Sequence, residues 1–344
     1  MQRPTSTSSM GKVLSFGELL LRICPDAAGA WLEENSLPFY VGGAELNVAT
    51  ALARWDIPSA YFTAIPDNFM SQQLLTELQR RRIDTSRVQL RGVRTGLYYL
   101  HKGKDLKHAG VIYDRENSSF SALQPGTLDW DLIFKDVSWF HFSAICPALN
   151  QKLADLCEEA LHAATERNIQ ISLDLNYREK LWKYGQDPGS IMPRLAQYCS
   201  LIMGNIWAAE KMLGVQIDQE LIASGTQEAY IRQAENSSKE IISRFPKCST
   251  VANTFRFDEG QGLRYFTTLY NHENILASKV YQTNEITDKV GSGDCFMAGL
   301  IYGHFQGHEP QETLDFATAA AFNKLFIASD ATSTTAAEIY AAIK

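Results

Sequence analysis

The chain has 344 residues, of which 45% are hydrophobic and 21% charged, and carries a formal charge of −7. That length and apolar content provide for a large buried core and exclude a disordered chain, while the acidic balance argues against a nucleic-acid binder, whose footprint is a basic excess. Six scattered cysteines without a CxxC pair read as reduced core residues of a cytoplasmic protein; no histidine spacing suits zinc, and no apolar run is long enough to span a membrane.

Residues 1–10, MQRPTSTSSM, are polar and read as a disordered leader. Residues 12–21, KVLSFGELLL, predict a short first strand of a buried sheet with Gly17 and Glu18 at its end, and 23–40 are less regular. In VGGAELNVATALARW (41–55) a turn at Gly42 and Gly43 precedes a helix through Asn47, Ala51 and Trp55. A second strand follows at 59–65, then an amphipathic helix at 71–83 whose arginine run, 80–82, reads as a solvated end. TGLYYLHKG (95–103) and HAGVIYDR (108–115) are aromatic-rich and β-prone, and predict a hairpin that forms a small antiparallel lid.

From there strands and helices alternate: strand 139–145, helix 153–168, strand 169–176, strand 200–205 and a helix after it. Residues 216–244 are polar and helical, 249–255 and 263–270 are β-like, and alanine-rich helices run from Glu312 onward. This alternation predicts an α/β fold with a mainly parallel sheet covered by helices on both faces. No linker divides the chain, so a single domain over 11–344 is expected, with its lid from about 23–41 and 93–115. Open parallel sheets bind ligands beyond the carboxyl ends of their strands, where Gly42, Gly43, residues 176–178, Asn205 and 291–294 would fall.

The most informative stretch is 286–303, ITDKVGSGDCFMAGLIYG. Phe296, Met297, Leu300 and Ile301 recur on one helical face, and Gly299 and Gly303 would allow close packing. Gly291 and Gly293 free the backbone to turn, so the amides of Gly291, Ser292, Gly293 and Asp294 can converge at a helix N-terminus, an anion hole in prospect. Asp294 there reads either as a helix cap or as a base that takes the proton of a hydroxyl attacking a phosphate. A dinucleotide fingerprint would need glycine where Phe296 stands, and a P-loop would need GK[ST], which the chain lacks.

The run resembles the C-terminal signature of the ribokinase-like (PfkB) carbohydrate kinases, D-T-x-G-A-G-D-x-F-x-x-G. Asp288, Gly291, Gly293, Asp294, Phe296 and Gly299 match, while Lys289 and Ser292 depart from it. VGGAELNVA resembles the substrate motif of the subset that phosphorylates 2-keto-3-deoxygluconate. The resemblance runs from about residue 12 to the C-terminus and implies a ribokinase-like fold, ATP and Mg²⁺ as cofactors, and phosphorylation of a primary hydroxyl with Asp294 as base. It implies no metal ligands from the protein itself. Gly42, Gly43, Asn47, Tyr98, Tyr113, Arg115 and Arg178 would bind the sugar acid. The two arginines would pair with its carboxylate, or else with their neighbours Glu116 and Glu179. Asn205, Asn253, Thr254, Arg256 and Asn323, with the glycine turn, would meet the nucleotide. Where the family commonly has N-x-x-E to order water around Mg²⁺, Asn205 is followed by Ala208. Lid-to-lid homodimers are expected on the same ground. A fructokinase, or a degenerate sugar-sensing module, are the competing readings.

Overall fold

The structure, a computed structural model, describes residues 11–26, 28–101, 110–260 and 262–343. The expected leader, 1–10, and the turn within 102–109 lie outside the described residues.

Lys12–Phe16, KVLSF, is flanked on both sides by parallel partners, Val137–Ser143 and Ser59–Phe62. Beyond Val137–Ser143 the sheet continues through Gln170–Asp174, Leu201–Gly204 and Thr250–Glu259, all parallel. Ile83–Asp84 closes the opposite edge. Antiparallel pairing begins only at Gly262–Tyr270, which also carries Ile275–Ala277 and Tyr281–Thr283. Successive strand residues bury into different clusters because side chains alternate across a sheet. Leu14, Phe16, Phe140 and Phe142 pack with Leu153, Leu156 and Leu161 of the helix Gln151–Glu166. Val13 and Trp139 face the helices Ala44–Arg54, Ser292–Gln306 and Pro310–Lys324. Apolar residues run unbroken in these strands because both faces are covered.

The run 12–21 breaks at Gly17, where its strand was expected to end, and goes on into a strand that was not foreseen. It is two strands in two sheets, Lys12–Phe16 and Leu20–Ile23. The chain leaves the central sheet at Gly17, whose carbonyl accepts the Tyr61 hydroxyl at 2.9 Å and where a Cβ would stand 1.9 Å from Glu45 Oε2. Leu20–Ile23 is antiparallel to Phe39–Gly42 but parallel to Gly96–Tyr99, so the small four-stranded sheet is mixed rather than antiparallel. Its last strand, Ile112–Asp114, is antiparallel to Gly96–Tyr99, with Tyr98 opposite Tyr113. Among the described residues no helix is long and apolar enough to cross a membrane.

Candidate active site

A cavity of about 770 Å³ opens between the carboxyl ends of the central strands and the small sheet. The helix Ser292–Gln306 points its N-terminus into it, with Gly291 as the cap at φ +80. Its hydrogen bonds begin with Cys295 N–H to the Gly291 carbonyl at 2.9 Å, which leaves the amides of Ser292, Gly293 and Asp294 without helical partners. A Cβ on Gly291 would come within 1.7 Å of the Asp330 carbonyl, so backbone geometry alone requires glycine there. Gly293 is different: a Cβ would meet only Met203 Cε, at 3.9 Å. Packing against the protein therefore leaves room for a side chain at Gly293, which lines the cavity.

Asp294 is nearly buried, and its Oδ2 accepts the Asn47 amide at 2.7 Å. Burial, the main cause, with help from the charges of Asp174 and Glu45, pushes its carboxyl up to about 8; the Asn47 bond and Arg178 pull the other way. Asp174, the last residue of Gln170–Asp174, also lines the cavity, and burial raises it to about 6 against a bond from the Asn176 amide. Asn47 Oδ1 is buried without a partner, an acceptor facing no donor.

Of the residues expected to bind substrate, the cavity gathers Gly43, Asn47, Tyr98, Tyr113, Arg115 and Arg178, but not Gly42. Gly42 ends its strand against Asp330, whose Oδ2 would lie 2.3 Å from a Cβ there. The Tyr98 hydroxyl is already given to Asp330 Oδ2 at 2.7 Å. Arg115 is buried and pairs with neither Glu116 nor a free anion: Nε and Nη2 bind Glu18 Oε2 at 2.7 and 2.5 Å. Arg178, half-buried, has no carboxylate partner among the described residues and donates only to the Tyr177 carbonyl at 3.0 Å.

Of the nucleotide candidates, Asn205, Thr254, Arg256, Gly291 and Gly293 line the cavity. Asn205 also caps the helix Ile206–Leu213, accepting Ala208 N–H at 2.8 Å. Asn253 does not: strand alternation turns it away from the side of Thr254 and Arg256, to Ser238 Oγ at 3.4 Å. Asn323 lies outside the cavity, near the end of Pro310–Lys324. Ala208 lines the cavity at the place of the usual Glu, with Lys211 one turn further on and Glu210 absent from the lining. Asp174, Lys180 and Lys289 were also missed; an Asp closing the apolar strand ISLD was the readable signal.

Free amides beside a proton-accepting carboxylate handle an anion and a proton together, which is what a phosphotransferase acting on a hydroxyl requires. The sequence fits that class in detail. Residues 10–325 match the pfkB family carbohydrate kinase pattern, and the chain belongs to that family. It is similar to a 2-dehydro-3-deoxygalactonokinase of Haloferax volcanii, 27% identical over 93% of this chain and 92% of the relative. A crystal structure of a 2-dehydro-3-deoxygluconokinase from Thermotoga maritima superposes with a TM-score of 0.87 at 30% identity, covering 97% of this chain and 99% of that one. Fructokinase-2 of Zea mays is 26% identical over 84% of this chain and 78% of its own length.

Proposed function

We propose that this carbohydrate kinase phosphorylates the primary hydroxyl of a 2-keto-3-deoxy sugar acid with ATP. The observation that carries the reading is Arg178, a guanidinium in the cavity beside Gly43, Asn47 and Asp294 with no carboxylate of its own. A sugar carboxylate would complete it as a two-pronged, charge-assisted pair. The kinases named above for 2-dehydro-3-deoxy acids support the same substrate class. Arg115 contributes less than its sequence position implies, because Glu18 already neutralises it. That neutralisation favours a second reading, a fructokinase, whose neutral sugar needs neither Arg115 nor Arg178.

In the proposed step Asp294 accepts the hydroxyl proton as the sugar oxygen bonds to the γ-phosphorus. The bond from that phosphorus to the β,γ-bridging oxygen breaks, and ADP leaves. The amides of Ser292, Gly293 and Asp294 hold the charge on the transferring group; one such donor is worth about 100- to 1,000-fold in rate. Six cationic side chains line the cavity, among them Lys180, Lys211, Arg256 and Lys289, against three carboxylates, Asp174, Glu179 and Asp294. Arg115 and Lys289 are already matched by Glu18 and Asp258, which lie outside the lining, and the smaller excess that is left still suits a triphosphate in a chain that is acidic overall. Among the described residues no group of three His, Cys, Asp or Glu could hold a metal, and Mg²⁺ would be carried on the phosphates, with Asp174, Glu179 and Asp294 the carboxylates of the cavity lining. Its chemistry would be to neutralise phosphate charge. Turnover should stop in excess EDTA and return with Mg²⁺; undiminished turnover would refute the requirement.

The small sheet acts in this reading as the lid of one catalytic unit that includes the central sheet, shielding the phosphoryl group from water. The six cysteines are buried and none forms a disulfide, in keeping with a cytoplasmic protein. The deciding experiment compares kcat/KM for 2-keto-3-deoxygluconate and fructose in wild type and Arg178→Met. Loss of one charge-assisted bond, roughly 1.5–3 kcal/mol, should lower the value for the acid about 10- to 150-fold and leave fructose unchanged. Equal loss on both substrates makes Arg178 structural and moves the fructokinase reading ahead.

A further inference from the structure

Arg22 is fully buried on the small-sheet strand Leu20–Ile23. Its Nη1 and Nη2 fork onto Asp288 at 3.2 and 2.5 Å. Its Nε approaches Asp330 Oδ1 at 2.7 Å without the alignment of a hydrogen bond, a contact of charge. The neighbouring strand supplies the Tyr98 hydroxyl to Asp330, and the third supplies the Tyr40 ring, 4.6 Å from the guanidinium carbon. The other side of both carboxylates is the glycine turn. Asp288 Oδ1 accepts the Val290 N–H at 3.0 Å, and the Asp330 carbonyl fills the space beside Gly291. Lys324, also fully buried, donates to the Ile327 carbonyl at 3.1 Å and brings a second cation to the two carboxylates.

Buried charge clusters rarely add net stability over apolar packing, whereas removing one member is costly; their use lies in fixing geometry. Arg22, Asp288 and Asp330 do not line the cavity. Their contacts instead join the small sheet to the turn 288–291. Given the kinase reading above, we propose that Arg22 is a positioning residue: it ties the small sheet to the phosphate-binding turn, so the amides of 292–294 hold their working geometry only while the sheet is seated.

Arg22→Lys keeps the charge and loses the fork. Tyr98→Phe keeps the ring and removes only the hydroxyl bond to Asp330, and tests the same link if Arg22→Lys does not fold. Amide hydrogen exchange across 290–295 is followed in the ligand-free full chain, alongside kcat and KM for ATP. Exchange there should quicken at least about tenfold, and kcat fall at least about tenfold, with KM for ATP within about threefold. Unchanged exchange at 290–295 with loss of protection in the small sheet alone overturns the proposal, as does a defect carried by KM with kcat intact. The exchange measurement uses no substrate, so its outcome is separate from the success or failure of the kinase reading.

Discussion

As the base of the proposed step Asp294 would meet two opposed demands: to accept a proton it must be ionised, yet its surroundings favour the neutral form. Asp294→Asn retains the size and the turn and removes the base, and kcat should fall by at least about 100-fold with sugar affinity little changed. Activity within a few-fold of wild type would show that Asp294 is not the base. Because the free carboxyl sits at about 8, kcat/KM of the wild type should rise with pH up to that value and then level. Stability should move the opposite way. A carboxyl raised from about 3.9 in the unfolded chain stabilises the fold below that pH and loses its contribution as pH climbs to about 8. Asp294→Asn should therefore raise Tm at pH 8, with little gain at pH 4, and a Tm difference independent of pH would contradict the shift. The glycine turn and Asp294 were legible because Gly-Ser-Gly-Asp fixes backbone and chemistry within four residues. Arg115 and Tyr98 line the cavity, but the protein groups that hold them were not foreseen. Their partners, Glu18 and Asp330, are 97 and 232 residues away, a distance no local pattern spans.

At the scale of elements, the tightest helix pair is Ser292–Gln306 against Pro310–Lys324. A Cβ on Gly299 would stand 2.5 Å from Ala317 Cα and 2.8 Å from its Cβ, and one on Gly303 would stand 2.4 Å from Thr313 Oγ1. The Ala317 contact is with backbone and cannot rotate away. Gly299→Ala gains about 1 kcal/mol of helix propensity but overpacks the pair by about 1–3 kcal/mol, so the urea midpoint should fall at constant m-value. A higher midpoint would mean that the helices separate freely. The sequence predicted this close approach from its two glycines, and the parallel strands from their alternation with helices. It placed Gly17 and Glu18 at the end of the first strand but gave no second strand after them, because LSFGELLL is equally apolar on both sides and its length suits one strand or two. Only the side chains crowding Gly17, from Glu45 and Tyr61, show where the chain changes sheets.

For the whole molecule, the outer face of the small sheet carries a row of aligned side chains, Phe39, Ile23, Tyr99 and Ile112. Its ends, Phe39 and Ile112, are 57% and 63% exposed. Two such sheets face to face would bury these rows, and we expect a homodimer that Phe39→Lys with Ile112→Lys converts to monomer in sedimentation equilibrium. A wild-type monomer at micromolar concentration would remove the idea. The contacts of the site span nearly the whole chain: Asn47 reaches Asp294 across 247 residues, Arg22 reaches Asp288 across 266, and Trp55 holds Thr334 across 279. A ribosome adds about 5–20 residues per second, so the N-terminal half waits many seconds for these partners. Until then Arg22 and Asn47 have no counter-groups, and the inner strand Leu20–Ile23 of the small sheet lacks the buried charges that seat it. The growing chain can form its central strands from the middle outward, but its chemistry arrives only with its last segment. A chain released before Asp330 would therefore be a folded core carrying an unmade site, and a stop codon near the end would abolish activity well before it abolished the sheet.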